Sequence, residues 1–146
     1  IGVRLVGSEM CIRDRDITGL GKSFIIYNAD ALEIYKTVYI CEGAINAETI
    51  GENGIATGGK AISRYQVNRF IKSPVEKFII LIDPDAKDKA LDLAFKLVPF
   101  KKVKVVFLPD NEDVNSLGKR KTLEYVRKTT YQTYQELLTI KSELKL

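Results

Sequence analysis

Two apolar runs in this chain end in carboxylates. The first is Val38-Tyr-Ile-Cys-Glu42-Gly43, where a short run meets a glutamate and then a glycine. The second is Ile79-Ile-Leu-Ile-Asp83-Pro84-Asp85, which meets two aspartates spaced i, i+2. If the backbone stays extended through Asp85, both aspartates point to one side. Pro84 favours that reading, because a proline pushes the residue before it away from helical geometry. Carboxylates this close repel, and one of them is hard to ionise unless a cation lies between them. Hard divalent cations take oxygen ligands, and Mg²⁺ is commonly held by one or two carboxylates together with substrate phosphates. The chemistry indicated is metal-assisted stabilisation of charge on a phosphoryl group, with Glu42, Asp83 and Asp85 as candidate catalytic residues and ligands for Mg²⁺ or Mn²⁺. Plainer readings stand beside this one: Glu42 marks a strand end, and Asp-Pro-Asp is a turn in which Asp85 caps the following helix.

Three further features lie near these acids. Gly43 would let the backbone turn tightly and approach a ligand closely. Gly54-Ile-Ala-Thr-Gly-Gly-Lys60 is glycine-rich but lacks the spacing of a nucleotide P-loop. The amides of Gly58 and Gly59, with Lys60, are left as candidate phosphate contacts, against the simpler role of a strand–helix turn. In Leu108-Pro-Asp-Asn-Glu-Asp113-Val-Asn115-Ser, the readings are a metal-supporting loop or an N-cap for the last helix; Asp113 reads best as the cap, and Asn115 is undecided. Lysines 101, 102 and 104 and the basic run at 119–121 read as a solvated face, with phosphate contact as the alternative.

Composition limits the other chemistries. The chain has 146 residues, 45% apolar and 29% charged, with a net charge of +4, a globular balance that suits a polyanionic partner or simply a lysine-rich surface. It has no histidine, and its two cysteines are isolated, so a zinc site and any histidine-based triad are excluded. The low cysteine content fits a cytoplasmic location. The longest apolar runs fall far short of the ~20 residues that a membrane helix needs, so no membrane association is expected.

The acids must be positioned by a layered fold. Short β-branched runs at 38–41, 54–56, 78–82 and 103–108 read as buried parallel strands. Helical patterns lie between them at 44–51, 62–71 and 86–98. The second places Ile62, Tyr65, Val67 and Phe70 at mixed three- and four-residue spacings; the third places Ala90, Leu93, Ala94 and Leu97 on one amphipathic stripe. A last helical region runs from 113 to 128 or beyond, and the polar tail to 146 reads as a separate helix. Alternation of this kind predicts an α/β fold with a mainly parallel, Rossmann-like sheet of about four strands. In such sheets ligands bind at the carboxyl ends of the strands, where both acidic motifs fall. Residues 6–15 have neither helical nor strand periodicity and resemble a translated adapter peptide found in metagenomic gene sets. Residues 1–15 are therefore expected to be a non-native leader, with 16–36 as a lead-in.

The pattern resembles a Toprim domain, the metal-binding module shared by bacterial-type and phage DNA primases, topoisomerases of types IA and II, OLD-family nucleases and RecR-type proteins. An apolar strand ending in Glu42-Gly43 and a second ending in Asp83-Pro-Asp85 carry the resemblance, over roughly 37–128. Residues 129–146 are left as a helical tail. Glu42-Gly-Ala-Ile-Asn46-Ala47 is similar to the primase Glu-Gly-x-x-Asp-Ala, with Asn46 in place of the acid. Leu108-Pro109 followed by Asp113-Val-Asn115 is similar to a later primase segment, with Val114 in place of proline. Where primases tend to carry Ala-Gly, this chain has Lys87-Asp88, so Asp88 is a possible outer carboxylate.

The resemblance implies metal-dependent nucleotidyl transfer that makes RNA primers during DNA replication. It implies a single-stranded DNA template, ribonucleoside triphosphates, and a replicative helicase partner or fused helicase domain, in a bacterial or phage-infected cell. Asp83 and Asp85 would hold Mg²⁺, and Glu42 would act in catalysis or share the metal. The alternatives are a Toprim nuclease or topoisomerase fragment, or a non-catalytic nucleic-acid-binding module. None of the seven tyrosines has a context that marks it as a topoisomerase nucleophile.

Overall fold

A computed structural model describes residues 25–58 and 61–146. Strands β1 (Thr37–Cys41), β2 (Gly54–Ala56), β3 (Lys77–Leu81) and β4 (Lys102–Val105) form one sheet in the order β2-β1-β3-β4, with every pairing parallel. This is the α/β, Toprim-like sheet expected. The helices of the described residues are α1 (Ala31–Ile34), α2 (Ala44–Ile50), α3 (Arg64–Lys72), α4 (Lys87–Leu97), α5 (Val114–Leu117), α6 (Lys119–Lys128) and α7 (Tyr134–Glu143). None is long and apolar enough to cross a membrane.

Side chains of successive strand residues go to opposite faces, and both faces are covered. Val38, Ile40, Phe78, Ile80, Val103 and Val105 pack with Phe70 of α3, Leu91 and Leu97 of α4 and Leu137 of α7. Cys41, Ile79 and Leu81 pack with Ala47 and Ile50 of α2, Val114 of α5 and Val126 of α6. Burial on both sides is why β1 and β3 read as unbroken apolar runs. The edge strand β4 differs. Val103 and Val105 are buried, Lys102 is exposed and Lys104 is half-buried. The apolar run at 103–108 outlasts the strand, since pairing ends once the Val106 amide has donated to the Ile80 carbonyl at 3.1 Å, three residues before Pro109.

Two expected helices begin or end elsewhere. The pattern placed at 62–71 starts at Arg64, because Ser63 forms a capping box with Gln66. Tyr65, one of the apolar positions of that pattern, is 39% exposed. The region expected as one helix from 113 is two, α5 and α6, separated by Gly118 at φ 87°, a conformation glycine adopts without strain. Gly54 is required for a different reason. A Cβ there would lie 2.4 Å from the Ala47 carbonyl oxygen, so only glycine lets α2 lie this close to β2.

Segments outside 37–128 are packed into the same core. Leu137 of α7 is fully buried, as are Ile26 and Leu32. Tyr27 bridges Ala56 antiparallel at the free edge of β2, with the Tyr27 amide 2.8 Å from the Ala56 carbonyl. At the other edge Gln132 acts as a substitute strand. Its amide N–H donates to the Val103 carbonyl at 2.9 Å, and its side-chain oxygen accepts the Val105 N–H at 2.7 Å. Its side-chain nitrogen completes the match to the Val105 carbonyl at 3.3 Å. The expected leader at 1–15 lies outside the described residues.

Candidate metal and phosphate site

The sheet register brings the acidic motifs together. Cys41 pairs with Leu81, so Glu42 and Asp83 emerge one and two residues beyond that pair, on neighbouring strands at one rim. Glu42 leads directly into α2, with Gly43 as its N-terminal cap residue. The turn at Gly43 needs no unusual backbone, because φ is −110°, and a Cβ there would meet nothing within 4 Å. The chain does turn from strand to helix there, but without the positive φ that would demand glycine, and what the glycine leaves is an open face.

Asp83 keeps the extended backbone that Pro84 favours, with φ −53° and ψ 148°. The extended path stops there. Pro84–Ala86 forms a 3₁₀ turn closed by the Ala86 amide on the Asp83 carbonyl at 2.9 Å, and α4 begins at Lys87. The i, i+2 alignment expected of Asp83 and Asp85 therefore fails, since proline suits the first position of a helical turn as well as an extended strand. The capping alternative fails too. Ala86 occupies the cap position of α4, and no side chain bonds there.

The loop after β4 brings further acids to Asp83. Asp83 and Asp85 line a cleft of about 340 Å³ with Glu112, Asp113 and Ser116. Asp113 does cap its helix, as expected: its Oδ1 accepts the Ser116 N–H at 2.8 Å, and Ser116 Oγ accepts the Asp113 N–H at 2.9 Å. The same residue faces Asp83. Burial chiefly pushes the Asp83 carboxyl above its ordinary range, followed by the negative charges of Glu42, Asp113 and Asp85, with Lys89 acting against them.

Asn46 links the parts. Its side-chain nitrogen lies 3.5 Å from Asp83 Oδ1, and its oxygen accepts the Asn115 N–H at 3.0 Å. Asn115 Oδ1 in turn accepts from Thr49 Oγ1 at 3.3 Å, which ties α5 to α2. Both asparagines thus belong to the frame around Asp83.

Two expected contributors stand differently. Asp88 is exposed and lines a separate groove with Lys89 and Asp92, away from the acidic cleft. The Gly58 amide donates to the Glu42 carbonyl at 2.8 Å, so it fastens the loop after β2 onto β1 and is not free for phosphate. Gly59 and Lys60 lie outside the described residues.

The acids are not drawn into a finished cage. Among the described residues no three Asp, Glu or Cys side chains are gathered closely enough to hold a metal ion as they stand. Repulsion between carboxylates favours that spacing. Even so, the donor set fits a hard divalent cation: the donors are all oxygen, and the Asp83 carboxyl, raised chiefly by burial and then by Glu42, Asp113 and Asp85, lies among negative charges that a cation would offset. The neighbouring Cys41 offers nothing, since burial, aided by Asp83, pushes its thiol up to about 12.

A primase catalytic domain bound to single-stranded DNA, DnaG, matches at a TM-score of 0.67 and 17% identity, over 86% of this chain and 44% of that one. The E. coli primase catalytic core matches at 0.67 and 16%, over 86% and 45%. The Aquifex aeolicus primase zinc-binding and RNA polymerase domains match at 0.65 and 17%, over 76% and 31%.

The chain shares the fold of part of a primase catalytic core.

At these identities the likeness is one of fold, and the chain spans less than half the length of each of these primase structures. No family model and no curated protein matches. Within the primase-like fold, one contact had no clear sequence signal. Lys89 Nζ lies 2.8 Å from Glu42 Oε2, 47 residues away in the chain. Its only trace in the sequence is a lysine four residues beyond Asp85. In the basic segment at 101–104, Lys102 is solvent-exposed, whereas Lys101 and Lys104 have structural duties. Lys101 Nζ caps the Ser73 and Val75 carbonyls at 2.8 and 2.6 Å. Lys104 Nζ binds the Val126 carbonyl at 3.0 Å over the Tyr131 ring.

Proposed function

We propose that this chain is the metal-dependent catalytic module of a DNA primase, joining ribonucleoside triphosphates into RNA primers on single-stranded DNA. The observation that carries the reading is the convergence of Glu42 from the end of β1 with Asp83 and Asp85 from the end of β3 on one rim of a parallel sheet. That rim is where open α/β sheets bind ligands. Asp83 and Asp85 would hold Mg²⁺ or Mn²⁺, with Glu42 as a shared ligand or as the residue that orients the reacting groups. The cation, when bound, would stabilise the charge on the transferring phosphoryl group.

The remaining residues act around that centre. Asn46 keeps Asp83 oriented and fixes the start of α5. Asp113 adds negative charge opposite Asp83 and so strengthens attraction for a cation. The open face at Gly43 admits a phosphate close to the backbone. The DNA-bound relative supports a single-stranded nucleic-acid partner. The triphosphates, the helicase partner and the phage setting are carried by the sequence resemblance.

The test is a Mg²⁺ or Mn²⁺ titration of the wild type and of Asp83→Asn/Asp85→Asn, followed by thermal shift. A cation-dependent rise in melting temperature that the double variant lacks supports the reading. An equal response in both favours a non-catalytic nucleic-acid-binding module. Primer synthesis on single-stranded DNA, with this chain in its full-length context, separates a primase from a nuclease.

A further inference from the structure

Lys89 sits in the first turn of α4, and its ion pair with Glu42 joins that turn to the end of β1. Two other ion pairs, Lys96–Asp92 and Arg120–Glu124, link i, i+4 neighbours on exposed helix surface at 3.1 and 3.8 Å. Exposed pairs of that kind contribute little. The Lys89–Glu42 pair is of another sort. Its length is 2.8 Å, and the two side chains keep only 15% and 28% of their exposure. At such a site water screens the attraction less, and an ammonium held by the chain is always at hand. Lysine offers a single point charge on a flexible stem, so it can release a carboxylate oxygen that an arginine fork would hold in two places. Lys89 also opposes the acids that surround Asp83.

We propose that Lys89 is a positioning residue that acts as a resident counter-cation for Glu42, competing with the divalent cation for that carboxylate and so setting the metal affinity of the rim. The inference rests on the metal-dependent reading above. Lys89 holds Glu42 in place while the rim carries no cation, and yields Oε2 when one arrives.

The measurement is Mn²⁺ affinity, read by electron paramagnetic resonance from the free ion. Freeing one carboxylate from a partly buried ion pair, so that the ammonium no longer competes for it, is worth on the order of tenfold in affinity, so Lys89→Met is expected to bind Mn²⁺ about tenfold more tightly. Lys87→Met is the control. It removes the same charge from the same helical turn, but its ammonium lies 5.9 Å from the Phe107 ring centre rather than on Glu42. Lys89→Arg is expected to bind no more tightly than the wild type. In a Glu42→Gln background, Lys89→Met is expected to change affinity little. Lys89→Gln provides the same reading if the methionine variant does not fold, as judged by circular dichroism.

Equal gains from Lys89→Met and Lys87→Met would overturn the inference, as would a gain that persists in the Glu42→Gln background. Mn²⁺ binding that Asp83→Asn abolishes but Lys89→Met leaves unmoved would overturn this inference alone. No saturable Mn²⁺ binding by the wild type would overturn the metal-dependent reading and this inference with it.

Discussion

Asn46 presents its amide nitrogen to Asp83 Oδ1 at 3.5 Å while its oxygen holds the Asn115 N–H at 3.0 Å. A buried side chain that must donate on one side and accept on the other is met by asparagine and not by aspartate. Asn46→Asp removes the donor and sets a further negative charge against Asp83. Without divalent cation the variant is expected to lose about 1–3 kcal/mol, the usual penalty for leaving a buried polar group wrongly partnered. Saturating Mg²⁺ is expected to restore most of that loss. Denaturant melts with and without the cation check both parts.

The Asp83 carboxyl titrates above its ordinary range, so the folded chain binds a proton there more readily than the unfolded chain. Stability from that proton is fully present below the unfolded carboxylate pKa and is lost as pH rises through the raised folded value. Asp83→Asn keeps an acceptor for Asn46 and removes the charge. In a chelator at neutral pH, Asp83→Asn is expected to melt at a higher temperature than the wild type. The two curves should converge below about pH 4, where the aspartate is protonated in both states. A constant difference across that range would count against the crowding of acids around Asp83.

Gly43 and Gly54 should respond oppositely to alanine. Gly54→Ala drives a methyl to 2.4 Å from the Ala47 carbonyl oxygen and is expected to cost about 1–3 kcal/mol through displacement of α2. Gly43→Ala meets open space at an ordinary φ and is expected to change stability by no more than about 0.5 kcal/mol. Reduced affinity of Gly43→Ala for single-stranded DNA or nucleotide, with an unchanged urea midpoint, would reveal a ligand approaching the backbone there.

Leu137 belongs to the segment beyond 128, yet it is fully buried against the sheet. Leu137→Ala is expected to cost about 2–5 kcal/mol, the range for emptying a leucine site in a packed core. Unfolding in urea should remain a single transition, because α7 packs directly on α4. An independent early loss of helix would show instead that α7 is an appendage.

The strands and acids were legible in the sequence because each is a local signal. An apolar run buried on both faces looks the same in sequence and in space, and a carboxylate at its end falls on the rim by topology alone. What local pattern could not supply was partnership. Pro84 is compatible with an extended chain and with the first residue of a turn, and residue type does not choose between them. Lys89 meets Glu42 across 47 residues, and Asn46 meets Asn115 across 69, distances over which no periodicity speaks. Lys101 and Lys104 looked like surface charge because their partners are backbone carbonyls, which leave no mark on residue type.

Gln132 gives β4 a false neighbour. A bare strand edge is a template on which a second molecule can zip, and open edges of this kind seed fibrils and domain swaps. Here an invading strand would have to evict a glutamine that already satisfies Val103 and Val105 with three hydrogen bonds. Lys102 projects exposed at the start of that edge and adds charge that discourages stacking. One residue, through its backbone amide and its side chain together, thereby closes the β4 flank of the sheet to runaway self-association.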